Sequence, residues 1–201
     1  VGTVVTIKGT GYAANDSLRV DFGNMTGIKT ATATGSGSFV TTFTVNTQGY
    51  GATLIKVSGV SAAAENSFSI QPNVYLVSPS KGTVGCEVEI RGNGYDQNDG
   101  ITIGFGAKSN IGSSLADING YFWTTFIVDT QAFGTTTITA RGIDAAANIF
   151  FIQSQVYSVV PTRGSVGSMV TISGTGYGVN YYINFTFGTS AGIKQTATDI
   201  R

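Results

Sequence analysis

The sequence predicts an all-β protein built as a tandem series of antiparallel β-sandwiches, and three observations predict it. First, the chain repeats itself at domain length: Tyr12, Tyr95 and Tyr177 each close a Gly-x-Gly-Tyr run, and they lie 83 and 82 residues apart. Second, short segments alternate apolar and polar side chains with a period of two. In Glu87-Val88-Glu89-Ile90-Arg91, Val88 and Ile90 point one way and three charged residues the other. Third, nothing in the chain sustains a helical period. A unit repeated in tandem at this length is normally a building module whose role comes from being chained.

The repeat runs through the whole unit. Phe22-Gly23, Phe105-Gly106 and Phe187-Gly188 each begin ten residues after their tyrosine, Ser36-Gly37-Ser38-Phe39 matches Asn119-Gly120-Tyr121-Phe122, and Thr47-Gln48 matches Thr130-Gln131. The offset falls from 83 to 82 between Ala145 and Phe150, a loss of one residue that a turn absorbs at least cost. The expected modules are residues 1–73, 74–155 and 156–201. Val1 corresponds to Val84, so the first copy lacks the counterpart of residues 74–83, and the third stops halfway. With no initiator Met, the chain reads as a window on a longer one.

Each strand is expected from its own alternation. Val5 and Ile7, Val88 and Ile90, and Val170 and Ile172 keep the inward pair, while outward positions drift. Leu18–Phe22, Ile101–Phe105 and Ile183–Phe187 share a register. Further strands are expected in the complete copy near Val74–Val77, Ser113–Asp117, Tyr121–Val128, Thr135–Ala140 and Asn148–Ile152, about seven in all with Gly, Asn and Asp turns between them. Two sheets then bury Val88, Ile90, Ile103, Phe105, Phe122, Phe126, Val128, Ile138 and Ile152 face to face. Each large side chain fully buried is worth roughly 1.5–3 kcal/mol. The junctions are short: Gln71-Pro72-Asn73 and Gln153-Ser154-Gln155. Three residues span at most about 10 Å, so neighbouring modules are expected to touch and form a semi-rigid rod.

Composition narrows the partners. Eleven basic and eleven acidic side chains, with no His, give no electrostatic footprint for nucleic acid or an anionic membrane. No apolar stretch approaches the roughly 18 residues of a helical membrane span. Gly, Thr, Ser and Asn dominate where a cytosolic protein carries Lys and Glu, a composition typical of exported β-proteins. Cys86 aligns with Thr3 and Ser168, so it reads as a passive small residue, with an intermolecular bridge as the alternative.

The run Val-Ser-Pro-Ser-Lys-Gly-Thr-Val-Gly-Cys-Glu-Val-Glu-Ile-Arg-Gly-Asn-Gly-Tyr at 77–95, followed by Ile-Thr-Ile-Gly-Phe-Gly at 101–106, resembles the IPT/TIG branch of immunoglobulin-like domains. It is similar above all to the versions in large bacterial and archaeal surface proteins. There a Pro-x-x-Gly-x-x-Gly start leads to a Gly-x-Gly-aromatic turn, and a later Asn-Gly-x-Phe opens a Thr-rich strand. The resemblance covers essentially the whole chain and implies tandem immunoglobulin-like β-sandwich domains. It points to no one function, because the family serves adhesins, surface layers, secreted enzymes, receptors and transcription factors.

Several motifs carry a chemical reading beside a plain structural one. Gly92-Asn93-Gly94-Tyr95 lacks the third glycine and following helix of a phosphate loop, so its glycines are read as a tight turn and its tyrosine as packing over the sandwich edge. Asp96, Asn98 and Asp99 crowd oxygen ligands into one turn and form a calcium candidate, although no Glu closes the site. At the aligned positions of the other copies only Asn98 keeps an Asn; the alternative is an ordinary Asx turn. Asn15, Asn24 and Asn184 open Asn-x-Ser/Thr sequons, the first two in expected loops and the third facing outward on a strand. Tyr121 and Trp123 flank an Asn-Gly turn as candidates for contact with a neighbouring module or subunit, or for stacking on a sugar ring. With no His, one Cys and no carboxylate pair shared by the copies, no base or metal is in view to activate a nucleophile, and an enzyme is not expected.

The expected role is mechanical: a structural component of an extracellular surface assembly, a surface layer or sheath. Its partners would be other copies in a lattice or filament, neighbouring modules and cell-surface glycans. The alternatives are the stalk or spacer of an adhesin, and carbohydrate-binding accessory modules of a secreted enzyme.

Overall fold

Eighteen strands and no helix occur in residues 2–198, the part of the chain that the computed structural model describes. The first unit contains β1 (Val4–Gly9), β2 (Ser17–Phe22), β3 (Met25–Thr32), β4 (Phe39–Thr44), β5 (Gly51–Ser58) and β6 (Ala63–Ile70). The second contains β7 (Asn73–Ser78), β8 (Lys81–Thr83), β9 (Glu87–Asn93), β10 (Gly100–Phe105), β11 (Lys108–Leu115), β12 (Phe122–Ile127), β13 (Gly134–Arg141) and β14 (Ala145–Gln153). The third supplies β15 (Gln155–Val160), β16 (Thr171–Thr175), β17 (Tyr182–Phe187) and β18 (Ser190–Ala197).

The second unit is a complete sandwich. One sheet runs β12–β9–β7 and the other β11–β10–β13–β14–β8. Strands β9 and β12 lie on one side and β10, β13 and β14 on the other, the division of an immunoglobulin-like fold, with the opening strand split between the two sheets as β7 and β8. The first unit repeats this with β1–β4 against β3–β2–β5–β6. The first and second units each have a buried cluster of their own, one drawn from residues between Tyr12 and Ile70 and one from residues between Val74 and Ile152. All nine side chains expected inside the complete copy are buried. Phe105 sits at the centre, its ring 5.4 Å from that of Phe126 and 5.9 Å from that of Phe150. In the third unit, Ile172 occupies the position of fully buried Ile90 and is 39% exposed.

Two strands differ from expectation. The segment expected at Ser113–Asp117 pairs instead as Lys108–Leu115, because Phe105 lies opposite Lys108 and Gly106, in the left-handed region at φ 56°, closes the hairpin at once. Strand β8 was not expected at all. After β7 the chain passes Pro79, which has no amide to give a ladder, and crosses to the other sheet, where Lys81–Thr83 pairs in parallel with Phe151–Gln153. Three residues are too few to show a period.

The repeated glycine motifs interlock, and the tyrosine differs from expectation too. Tyr95 is buried in the core, not laid over its edge, and its hydroxyl donates to the Ala140 carbonyl at 3.1 Å. Tyr12 does the same to Val57 at 3.1 Å. A buried phenol must find an acceptor, and the carbonyl on the neighbouring sheet supplies it. The ring meets Phe122 edge-on at 5.2 Å. Gly92 makes room for that phenylalanine: a Cβ there would lie 2.1 Å from the Phe122 ring, and at Gly9 2.3 Å from that of Phe39.

Charged groups differ between the copies. Asp21 on β2 stands where the second unit has Gly104. Its Oδ1 accepts from the Gly27 amide at 2.7 Å and its Oδ2 from the Arg19 guanidinium at 3.0 Å. The Gly27 amide, with Arg19 adding and burial opposing, holds the carboxyl below its usual pKa. A depressed folded pKa stabilises above the unfolded value of about 3.9 and loses that stabilisation as the pH falls through the folded value. Asp21→Asn is therefore expected to cost the first unit about 1–2 kcal/mol at pH 7. The deficit should shrink below about pH 3, as read from hydrogen exchange of the Val20 and Phe22 amides at both pH values.

Candidate functional site

The outer face of the β12–β9–β7 sheet groups aromatic and charged side chains: Trp123, Arg91, Glu89, Tyr75 and Tyr121. Trp123 on β12 lies opposite Arg91 on β9, which lies opposite Leu76 on β7. The alternation that buries Phe122 and Phe126 sends Trp123 outward, and it is 53% exposed. The β7 strand bulges at Tyr75, between Val74 and Leu76, which turns that ring to the surface. Arg91 donates through Nε to Glu89 Oε1, and this bond raises the guanidinium pKa further. Burial raises the Tyr75 hydroxyl, with neighbouring Tyr121 adding and Arg91 opposing. Tyr121 is half-buried; Asp117 Oδ1 accepts its amide at 2.9 Å and that of Asn119 at 2.8 Å, which fixes the turn. The result is an aromatic and guanidinium platform that can stack on planar or apolar surfaces. The first unit has Val40 and Lys8 in place of Trp123 and Arg91, so it lacks the platform.

The acidic turn has a structural occupation. Asn98 adopts φ 58°, and Asn15 and Asn180 at the aligned positions adopt 62° and 57°, a conformation that Asn tolerates better than most residues. Asp99 Oδ2 accepts from the Ile143 amide at 2.8 Å, and Asp16 Oδ2 from the Val60 amide at 2.9 Å, so each carboxylate staples the start of one strand to the far hairpin. Asp96 is half-buried, and its carbonyl accepts from the Asp99 amide. Among the described residues no group of three or more His, Cys, Asp or Glu is placed to hold a metal ion. The sequons lie on the surface: Asn15 and Asn24 in turns, Asn184 on β17. The amide oxygens of Asn24 and Asn184 accept from Gln48 and Gln195 at 2.9 and 3.0 Å. Cys86 is half-buried against the second core, and burial pushes its thiol pKa up.

A shallow groove of about 420 Å³ runs between β7 and β14, lined by Tyr75, Leu76, Asn148, Ile149 and Phe151, with no carboxylate, amine or thiol in its walls. Among the described residues no helix is long and apolar enough to cross a membrane.

No family model and no curated protein matches the sequence. Among solved structures, a biofilm-associated protein's BSP domain aligns over 74% of this chain and 27% of its own length, at 15% identity and a TM-score of 0.30. Invasin, a bacterial integrin-binding protein, aligns over 97% of this chain and 54% of its own, at 14% identity and a TM-score of 0.28. This chain thus spans about a quarter of one protein and about half of the other, and its fold assignment rests on the strand order above.

Two features are not evident from residue order. Tyr50 and Phe133 occupy the same place in the two copies, just before Gly51 and Gly134, and both touch the next unit; their shared offset of 83 was the available signal. Asn93 is 6% exposed, and its Oδ1 has no hydrogen-bond partner among the described residues. The other copies have Thr10 and Thr175 there, and Thr175 Oγ1 accepts from Gln155 at 3.4 Å. An orphaned buried acceptor costs about 1–3 kcal/mol, so Asn93→Thr is expected to stabilise the second unit by about 1 kcal/mol. Denaturant melts followed by Trp123 fluorescence measure it, since Trp123 is the chain's single tryptophan.

Proposed function

We propose that this chain is a structural segment of an extracellular surface protein, in which immunoglobulin-like modules are strung in series to span distance or tile a surface. The observation that carries the reading is the direct coupling of equivalent sandwiches. Strand β6 ends at Ile70 and the next unit's first strand begins at Asn73, while β14 ends at Gln153 and β15 begins at Gln155. Links of one or two residues leave adjoining units in contact, as a stiff spacer requires. Exposed sequons and hydroxyl-rich, uncharged faces suit an exported chain. The Trp123 platform favours assembly into a surface layer or sheath over an isolated stalk, because a half-exposed tryptophan beside Arg91 is the kind of group that a neighbouring copy covers. Lateral contacts of this kind are individually weak and gain strength by repetition.

Electron microscopy of concentrated protein decides between these forms. Ordered sheets, tubes or filaments that Trp123→Ser abolishes support the lattice; monodisperse extended particles support a stalk. A compact single body in small-angle scattering would refute both.

A further inference from the structure

The Gly-x-Gly-Tyr turn does two separate jobs, and the second appears only where one unit meets the next. Its second glycine is left-handed in all three copies: Gly11 at φ 88°, Gly94 at 76° and Gly176 at 69°. The three turns therefore share one conformation. The surroundings differ. A Cβ on Gly94 would lie 2.3 Å from the Gln71 carbonyl oxygen and 3.2 Å from Ile70 Cγ2, and one on Gly176 would lie 2.5 Å from the Gln153 oxygen and 3.2 Å from Ile152 Cγ2. A Cβ on Gly11 would meet nothing within 4 Å. Gly94 and Gly176 are buried accordingly, and Gly11 is exposed.

A second contact recurs at the same two places. The Tyr50 amide donates to the Tyr95 carbonyl at 3.0 Å, and the Phe133 amide donates to the Tyr177 carbonyl at 3.2 Å. Tyr50 and Phe133 are the aromatic residues that end the loop before β5 and before β13. The Tyr50 ring extends to the β13–β14 hairpin, where the Asp144 charge raises its hydroxyl pKa and Asp96 adds to the effect. Phe133 instead packs edge-on against Phe151, with centroids 5.2 Å apart.

We infer that the Gly-x-Gly-Tyr turn is an inter-module socket: its left-handed glycine receives the departing strand of the preceding module, and its tyrosine carbonyl receives the backbone amide of that module's aromatic loop residue. The inference rests on the serial reading proposed above and adds the residues that set the angle between modules. Because both joints use the same two contacts, the array is a regular rod whose units follow one another by a repeated rotation and not a string of free joints. The phenol of Tyr95 and the carbonyl of Tyr95 have different tasks, the first inside its own sandwich and the second outside it.

Hydrogen exchange on the whole chain tests this with three alanines. Gly94→Ala, Gly176→Ala and Gly11→Ala all impose the same left-handed strain on the same turn, but only the first two intrude on a joint. The expected pattern is crossed. Gly94→Ala speeds exchange of the Tyr50 amide at least tenfold and leaves Phe133 protected; Gly176→Ala does the reverse; Gly11→Ala changes neither. Protection of the Val20 and Ile103 amides reports whether each sandwich remains folded. If Tyr50 and Phe133 exchange at the unprotected rate in the unaltered chain, or respond equally to Gly11→Ala, the socket is refuted. Small-angle scattering on the same samples separates that failure from failure of the serial reading, since extended particles with unprotected Tyr50 overturn the socket alone.

Discussion

Alanine at Phe105 is expected to destabilise the second sandwich by about 3–5 kcal/mol, the usual cost of removing a fully buried phenylalanine and leaving a cavity. The ring has no exposed surface and touches Phe126 and Phe150 from the two sheets, so its loss opens the centre of the core. A module of this size is stable by only about 4–12 kcal/mol, and the change removes a large share of that. Phe22→Ala is the matching substitution in the first unit, where Phe22 is fully buried against Phe43 and Phe68. Because Trp123 lies in the second unit, its fluorescence melt should shift strongly for Phe105→Ala and little for Phe22→Ala. Exchange of first-unit core amides should show the opposite preference. Equal shifts of the Trp123 melt in both variants would show one merged cooperative body in place of two cores.

Gly120→Ala is the second large effect. Gly120 is left-handed at φ 72°, and a Cβ there would sit 2.0 Å from the Tyr95 carbonyl oxygen. That approach exists because the Tyr95 amide donates to the Gly120 carbonyl at 3.1 Å, which ties the two glycine motifs together backbone to backbone. A flexible side chain could swing aside; a carbonyl in a bonded turn cannot. Gly85 is the control: it is left-handed at φ 87° in the same unit, with nothing within 4 Å of its Cβ position. Gly85→Ala should cost only the conformational penalty of about 1–2 kcal/mol. Gly120→Ala should cost about 3–4 kcal/mol, among the largest single-residue effects, because strand β12 is pushed off the Tyr95 turn. Denaturant midpoints from Trp123 fluorescence give the comparison, and equal midpoints would mean that the glycine is there for its φ alone.

The strand interiors were legible from residue order. Alternation alone puts Val88, Ile90, Ile103, Phe105, Phe122, Phe126, Val128, Ile138 and Ile152 inside, and each is buried. A period of two is a local property, enforced by a backbone that turns successive side chains to opposite faces, and burial of one face then follows from hydrophobicity without reference to distant residues. Outward placement of Trp123 follows by the same rule. So does the repeated architecture, because self-similarity at a fixed spacing needs no structure to be seen.

Contacts between distant segments were not legible, and the residues concerned show why. Lys81–Thr83 is too short to show a period, and of its three residues only Thr83 favours a strand; it is one because it pairs with the end of β14. Tyr95 reads as an edge residue until the Ala140 carbonyl, 45 positions on, provides an acceptor inside. Asp99 stands in an Asx-rich turn, and nothing near it in sequence announces that its carboxylate also accepts from the Ile143 amide, 44 positions on. Gly92 reads as a flexible turn residue, yet its lack of a side chain is used by the ring of Phe122. Residue order settles which face of each strand is apolar, since that depends on neighbours two positions apart. Which backbone amide, carbonyl or ring fills the remaining space depends on chain segments tens of residues away, and only their packing together assigns those partners.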